Sequence, residues 1–122
     1  MEKITIERTE KTPYVNFEEG LIEIKGRSIL EDSVEFYTPL IKWIENYIKH
    51  PSKKTQVIFE IEYSNSNSNK FFFQIISLLE KCYLNNNDIS ITWRFENDDD
   101  AIKDLGFDLK SLTKIPFNME EI

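Results

Sequence analysis

The chain has 122 residues, 40% hydrophobic and 13% aromatic, which is enough large apolar surface to bury one core and excludes a disordered segment. Fifteen Lys and Arg against 22 Asp and Glu leave a formal charge of -7, which repels a phosphate backbone and excludes nucleic acid as a partner. A single cysteine, Cys82, excludes an internal disulfide or a thiolate zinc cage, and no apolar run approaches the roughly 20 residues of a membrane helix.

Met1 to Glu10 alternates polar and apolar residues and lacks the continuous hydrophobic stretch of a signal peptide, so a cytoplasmic protein with no membrane association is expected. Within it, Ile4 and Ile6 alternate with Lys3, Thr5 and Glu7, the period of two that a half-buried strand requires. Val15 and Phe17, a Glu19-Gly20 turn, and Ile22 and Ile24 read as a hairpin. Ser28 with Glu31 three residues later has the form of a capping box, so a helix is expected to begin there. Tyr37, Leu40, Ile41, Ile44 and Ile48 carry its apolar stripe to His50-Pro51, and Pro39 inside it predicts a kink or a fresh start capped by Thr38.

Val57, Phe59, Ile61 and Tyr63 share one side of the next strand. Phe72, Ile75, Ile76, Leu79 and Tyr83 then mark a helix from about Asn69 to Leu84, which Asn85-Asn86-Asn87 ends. Ile89, Ile91, Trp93 and Phe95 form another strand, which makes 55 to 95 a βαβ unit with parallel strands. A shorter helix should follow Asp98-Asp99-Asp100 and stop near Gly106, with Ile115-Pro116-Phe117 adding an edge segment. Each strand has one apolar and one polar face, so the expected fold is a single α/β (α+β) domain over 1–122, a mixed sheet with helices packed mainly on one face.

Candidate chemistry is sparse. The one histidine, His50, lies at a helix end beside Pro51 and reads as a solvated residue, and Cys82 reads as a small buried hydrophobe, so no catalytic residue is assigned. Asp98 to Asp100 are consecutive carboxylates that point in different directions, without an EF-hand glycine or terminal glutamate, and read as a helix start; no metal or other cofactor is assigned. Three glycines, none in a Gly-rich loop, provide no phosphate cradle for a nucleotide.

One segment stands apart. Ser64-Asn65-Ser66-Asn67-Ser68-Asn69 joins a strongly patterned strand directly to a helix. It reads either as a polar loop that ends in a Ser or Asn cap or as a modification site, because a phosphate at a helix N-terminus is stabilised by the dipole and the unpaired N–H groups.

At this segment the sequence resembles the SiaC family of bacterial regulatory phosphoproteins. The resemblance extends over Thr12-Pro13, Gly26-Arg27-Ser28, Phe36 to Trp43, Tyr63 to Ser68, Trp93 to Asp100, Gly106-Phe107 and Pro116-Phe117. It implies a fold similar to anti-sigma-factor antagonists of the STAS type. It also implies a partner switch in which a Ser/Thr kinase modifies the Thr of a Tyr-x-Asn-Thr-Ser-Ser motif, a PP2C-type phosphatase reverses this, and the bare form engages a signalling protein such as a diguanylate cyclase.

Carried over by position, Tyr63 and Asn65 match that motif, Ser66 stands in place of the modified Thr, Asn67 replaces the middle Ser and Ser68 matches the last one. Ser64, where the family often has an apolar residue, adds a nearby hydroxyl. The resemblance therefore implies phosphorylation at Ser66 first and Ser68 second, with Tyr63, Ser64, Asn65, Asn67 and Asn69 in the partner-binding surface. Trp93, Arg94 and the Gly26 to Ser28 turn could extend that surface, although Trp93 continues a core stripe, and Trp43 suits either the core rim or a contact. Two readings from other classes stay open: a small ligand- or metal-binding domain that uses the polar sheet face with Asp98 to Asp100, or a constitutive structural subunit.

Overall fold

The computed structural model describes residues 2–122, so Met1, the first residue of the alternating Met1 to Glu10 stretch, lies outside the described residues. The strands are β1 (Ile4–Ile6), β2 (Tyr14–Glu18), β3 (Leu21–Ser28), β4 (Lys54–Ser64), β5 (Asp88–Phe95) and β6 (Phe117–Glu121). The helices are α1 (Ser33–Tyr47), α2 (Ser66–Leu84) and α3 (Asp100–Ser111). All six strands form one sheet in sequence order. β1, β2 and β3 pair antiparallel, as hairpin-scale connections allow, whereas β3 to β6 are parallel, each step spanned by a helix.

The register explains why helices cover one side only. Phe17, Ile22, Val57, Ile91 and Phe117 align across the sheet, and so do Val15, Ile24, Phe59, Trp93 and Met119. Against these two rows α1 places Trp43 over Phe17, α2 places Phe72 between Phe59 and Trp93, and α3 offers its Ile102 carbonyl to Trp93 Nε1 at 3.0 Å. The buried residues form one continuous cluster.

The intervening positions face the other way. Lys25, Glu60, Arg94 and Glu120 are consecutive partners across β3 to β6, an alternating row of charge in which Arg94 meets Glu120 at 2.9 Å and Glu60 at 3.4 Å. Opposite charges directly across from one another are favourable on an open sheet face, and this face carries no helix.

Three expected helix boundaries move: the starts of α1 and α2 and the end of α3. Ser28 does not cap α1: it remains in β3, buried and paired with Ser64, because a bulge at Gly26, whose φ of 118° suits glycine, lets the parallel ladder continue past it. The cap is Asp32, whose side chain accepts from Glu35 N at 3.3 Å. α1 then runs unbroken through Pro39, with no restart at Thr38, whose hydroxyl bonds back to the Val34 carbonyl at 2.6 Å. α3 likewise does not stop at Gly106 but continues to Ser111. An edge strand does follow, but it runs from Phe117 to Glu121, parallel to β5, so of the expected Ile115-Pro116-Phe117 segment only Phe117 belongs to it.

Candidate functional site at the start of helix α2

β4 passes into α2 through a single residue. Asn65 is extended, at φ −96° and ψ 170°, and its side-chain oxygen accepts from Ser68 N at 2.9 Å, which fixes the first turn of the helix. The other groups of Asn65 are also committed. Its amide Nδ2 donates to the Leu30 carbonyl at 2.9 Å, and its backbone N–H donates to the Ser28 carbonyl at 3.1 Å. Ser64 Oγ donates to Asn69 Oδ1 at 2.6 Å, tying the end of β4 to the same turn. The helix therefore begins at Ser66, three residues before the sequence pattern indicates, because capping by Asn65 satisfies donors that a later start would leave in a loop.

Ser66 and Ser68 have opposite environments. Ser66 is the first residue of α2 and exposed, whereas Ser68 is buried with no solvent contact. Ser68 Oγ donates to the Ser28 carbonyl at 2.9 Å and accepts from Ser28 Oγ at 2.6 Å. Each hydroxyl carries one proton, so Tyr37 OH, 2.6 Å from Ser28 Oγ, must donate to it. Burial pushes the Tyr37 phenol up to about 12, against a smaller downward pull from the neighbouring Ser28 and Ser68 hydroxyls, and keeps it protonated as this chain requires. Phe71 stacks on Tyr37 with ring centroids 5.0 Å apart. A phosphate on Ser68 would put a dianion inside this closed set of hydroxyls, so the geometry favours Ser66 over Ser68, which anchors the turn.

The remaining residues of the segment divide in the same way. Tyr63, 58% exposed, and Asn67 face solvent beside Ser66, while Ser64, Asn65 and Asn69 are half-buried and spend their side chains on the frame. Arg27, exposed, is the ladder partner of Tyr63 across β3 and β4, and Lys70 lies one turn along α2 from Ser66. The N–H groups of Ser66 and Asn67 precede Asn69 N, which donates the first intrahelical bond to the Asn65 carbonyl, and they point from the positive end of the helix dipole. The site can therefore hold an anion on the Ser66 hydroxyl without losing an internal bond.

Other candidates have different places. Asp99 caps α3 by accepting from Ile102 N at 3.1 Å, Asp100 is in its first turn, and no group of three or more metal-ligating side chains suited to a metal ion occurs among the described residues. The polar sheet face holds a shallow depression of about 410 Å³, where Arg8 pairs with Glu62, and Arg94 with Glu60 and Glu120. Trp93 is fully buried. Trp43 belongs to the core as well, stacked on Tyr47, with Nε1 donating to the Glu2 carbonyl at 2.7 Å. His50 is exposed, and burial raises the Cys82 thiol above its ordinary range. No helix among the described residues is long and apolar enough to cross a membrane.

The sequence pattern missed Ser28 and Tyr37 as supports for this turn. The signal for Ser68 was present, since it stands four residues before Phe72 and thus on the same buried stripe as Ile75, Ile76 and Leu79.

Comparison with known proteins identifies the same fold elsewhere. SiaC of Pseudomonas aeruginosa is 22% identical and superposes over the whole of both chains with a TM-score of 0.92. A chain in the crystal structure of the diguanylate cyclase SiaD in complex with its activator SiaC, also from Pseudomonas aeruginosa, is 21% identical, with a TM-score of 0.91 over 98% of this chain and 99% of that one. An uncharacterized protein of Pseudomonas aeruginosa (strain UCBPP-PA14) is 22% identical over 122 residues, 98% of this chain and 97% of its own. At such identities these likenesses carry the fold, and the family rests on a separate match over residues 6–122 to the model of the SiaC family regulatory phosphoproteins. The chain belongs to the SiaC family.

Proposed function

We propose that this chain is a non-catalytic partner switch controlled by phosphorylation of Ser66. The carrying observation is that the exposed hydroxyl of Ser66 occupies the first position of a helix whose cap and anchor are made entirely by other residues. A phosphate there meets the positive end of the dipole and the leading N–H groups, so the fold persists in both states while the surface gains about two negative charges. The bare form engages its target through Tyr63, Ser66 and Asn67, and the phosphate blocks that contact by charge and bulk. A Ser/Thr kinase and a PP2C-type phosphatase set the state. By analogy with the SiaD–SiaC complex of Pseudomonas aeruginosa, the target is a diguanylate cyclase, met in the cytoplasm.

The test is binding of the purified chain to the diguanylate cyclase of its own organism by calorimetry. Ser66→Ala should bind as the unmodified chain does, and Ser66→Asp at least about tenfold more weakly, the effect of about 1.4 kcal/mol that a misplaced charge readily produces. Equal affinity of all three forms would contradict the switch.

A further inference from the structure

We propose that Tyr37, Ser28 and Ser68 are positioning residues for Ser66, a relay of hydroxyls that holds the anion-binding turn of α2 in register with α1 and β3. The proposal rests on the reading of Ser66 as the modified hydroxyl. Three elements meet at one point. Tyr37 comes from α1, Ser28 from the last pairing of β3, and Ser68 from the first turn of α2. The protons run in one direction, from Tyr37 OH to Ser28 Oγ, from there to Ser68 Oγ, and finally to the Ser28 carbonyl, over distances of 2.6, 2.6 and 2.9 Å.

The same carbonyl also accepts from Asn65 N at 3.1 Å, so the strand end holds the cap residue and the helix turn together. The three residues are buried, and every buried side-chain oxygen and nitrogen among the described residues has a partner. Removing one hydroxyl therefore costs a neighbour one of its bonds in a dry site: Tyr37→Phe takes the donor from Ser28 Oγ, and Ser68→Ala takes the acceptor from the Ser28 hydroxyl proton, a loss the turn offsets by shifting. That movement redirects the N–H groups of Ser66 and Asn67, on which stabilisation of an anion at Ser66 depends. α1 thus influences the site without touching it.

The test places phosphoserine synthetically at position 66, so it needs no kinase and no binding partner. Phosphorus NMR then follows the second ionisation of that phosphate with pH, in the otherwise unaltered chain and in Tyr37→Phe. In the first, aligned N–H groups should lower the ionisation by about half a unit from its ordinary value near 6. In Tyr37→Phe most of that shift should disappear while circular dichroism shows a folded chain. Ser68→Ala, which cuts the relay at its other end, serves as the second variant should Tyr37→Phe not fold, and is expected to lose the shift as well.

A change in melting temperature with an unaltered phosphate titration would reduce the three hydroxyls to ordinary structural bonds and overturn the proposal. So would a phosphate at position 66 that ionises at its ordinary value in the unaltered chain. Neither result depends on whether the native cell modifies Ser66, which mass spectrometry of the native protein decides separately.

Discussion

Trp93 of β5 and Gly106 of α3 touch so closely that a Cβ built on the glycine would come within 2.5 Å of Trp93 Nε1. The same indole nitrogen donates to the Ile102 carbonyl at 3.0 Å, so the ring cannot swing aside without breaking a buried bond. Gly106 is thus a contact surface for Trp93 within a helix that continues past it. In an exposed helix, replacing glycine with alanine is stabilising. Here Gly106→Ala should instead cost about 1–3 kcal/mol through overpacking, read as a lower urea midpoint with unchanged slope.

The Asn65 cap can be tested by graded removal. Asn65→Ala loses the acceptor for Ser68 N and the donor to the Leu30 carbonyl, and should destabilise the chain by about 1–2 kcal/mol. Asn65→Ser keeps a capping oxygen and should cost less than alanine. Amide exchange would locate the effect: faster exchange at Asn67 to Asn69, with Ile75 and Ile76 little changed, is the expected pattern.

Ser66 and Ser68 should separate sharply when each receives a charge. Ser66→Asp puts a carboxylate at an exposed helix start and should leave stability within about 0.5 kcal/mol or raise it slightly. Ser68→Asp puts the same group into a fully buried site filled by Ser28 and Tyr37 and should cost at least about 3 kcal/mol, enough to unfold a marginal chain. Thermal melts of the two variants, side by side, check this.

Alkaline titration tests the buried phenol. The Tyr37 ionisation is raised by burial from 10.0 to about 12, so the folded chain holds that proton more tightly than the unfolded one. Its contribution is complete below pH 10 and is lost as pH rises through about 12, so stability should fall across that window by roughly 2 kcal/mol. Tyr37→Phe has no such proton, and its stability should decline less over the same range.

Much of the fold was legible in the sequence because period and punctuation are local. The strand stripes Val57-Phe59-Ile61 and Ile89-Ile91-Trp93, and the helix stripe from Phe72 to Leu79, each declared its inward face, and the mixed sheet with helices on one side followed from the polarity of the opposite faces. Local signals failed where a distant partner decided. Ser28 and Glu31 have capping-box spacing, yet pairing with Ser64 and bonding to Tyr37 and Ser68 hold Ser28 in a strand. Gly106 looked like a helix stop because nothing local reveals that Trp93 fills the space beside it. At the site, the alternation of Ser and Asn from 64 to 69 carries no apolar period, so the exposed Ser66 and the buried Ser68 look alike until the helix start is known.

The most direct measurement is peptide-level mass spectrometry of the chain purified from its native cells, sampled through growth. Phosphate on Ser66, removable by phosphatase and absent from Ser68, is the expected result. A peptide from Tyr63 to Lys70 that remains unmodified at every stage, or that carries its phosphate on Ser68, would contradict a switch built on the exposed hydroxyl.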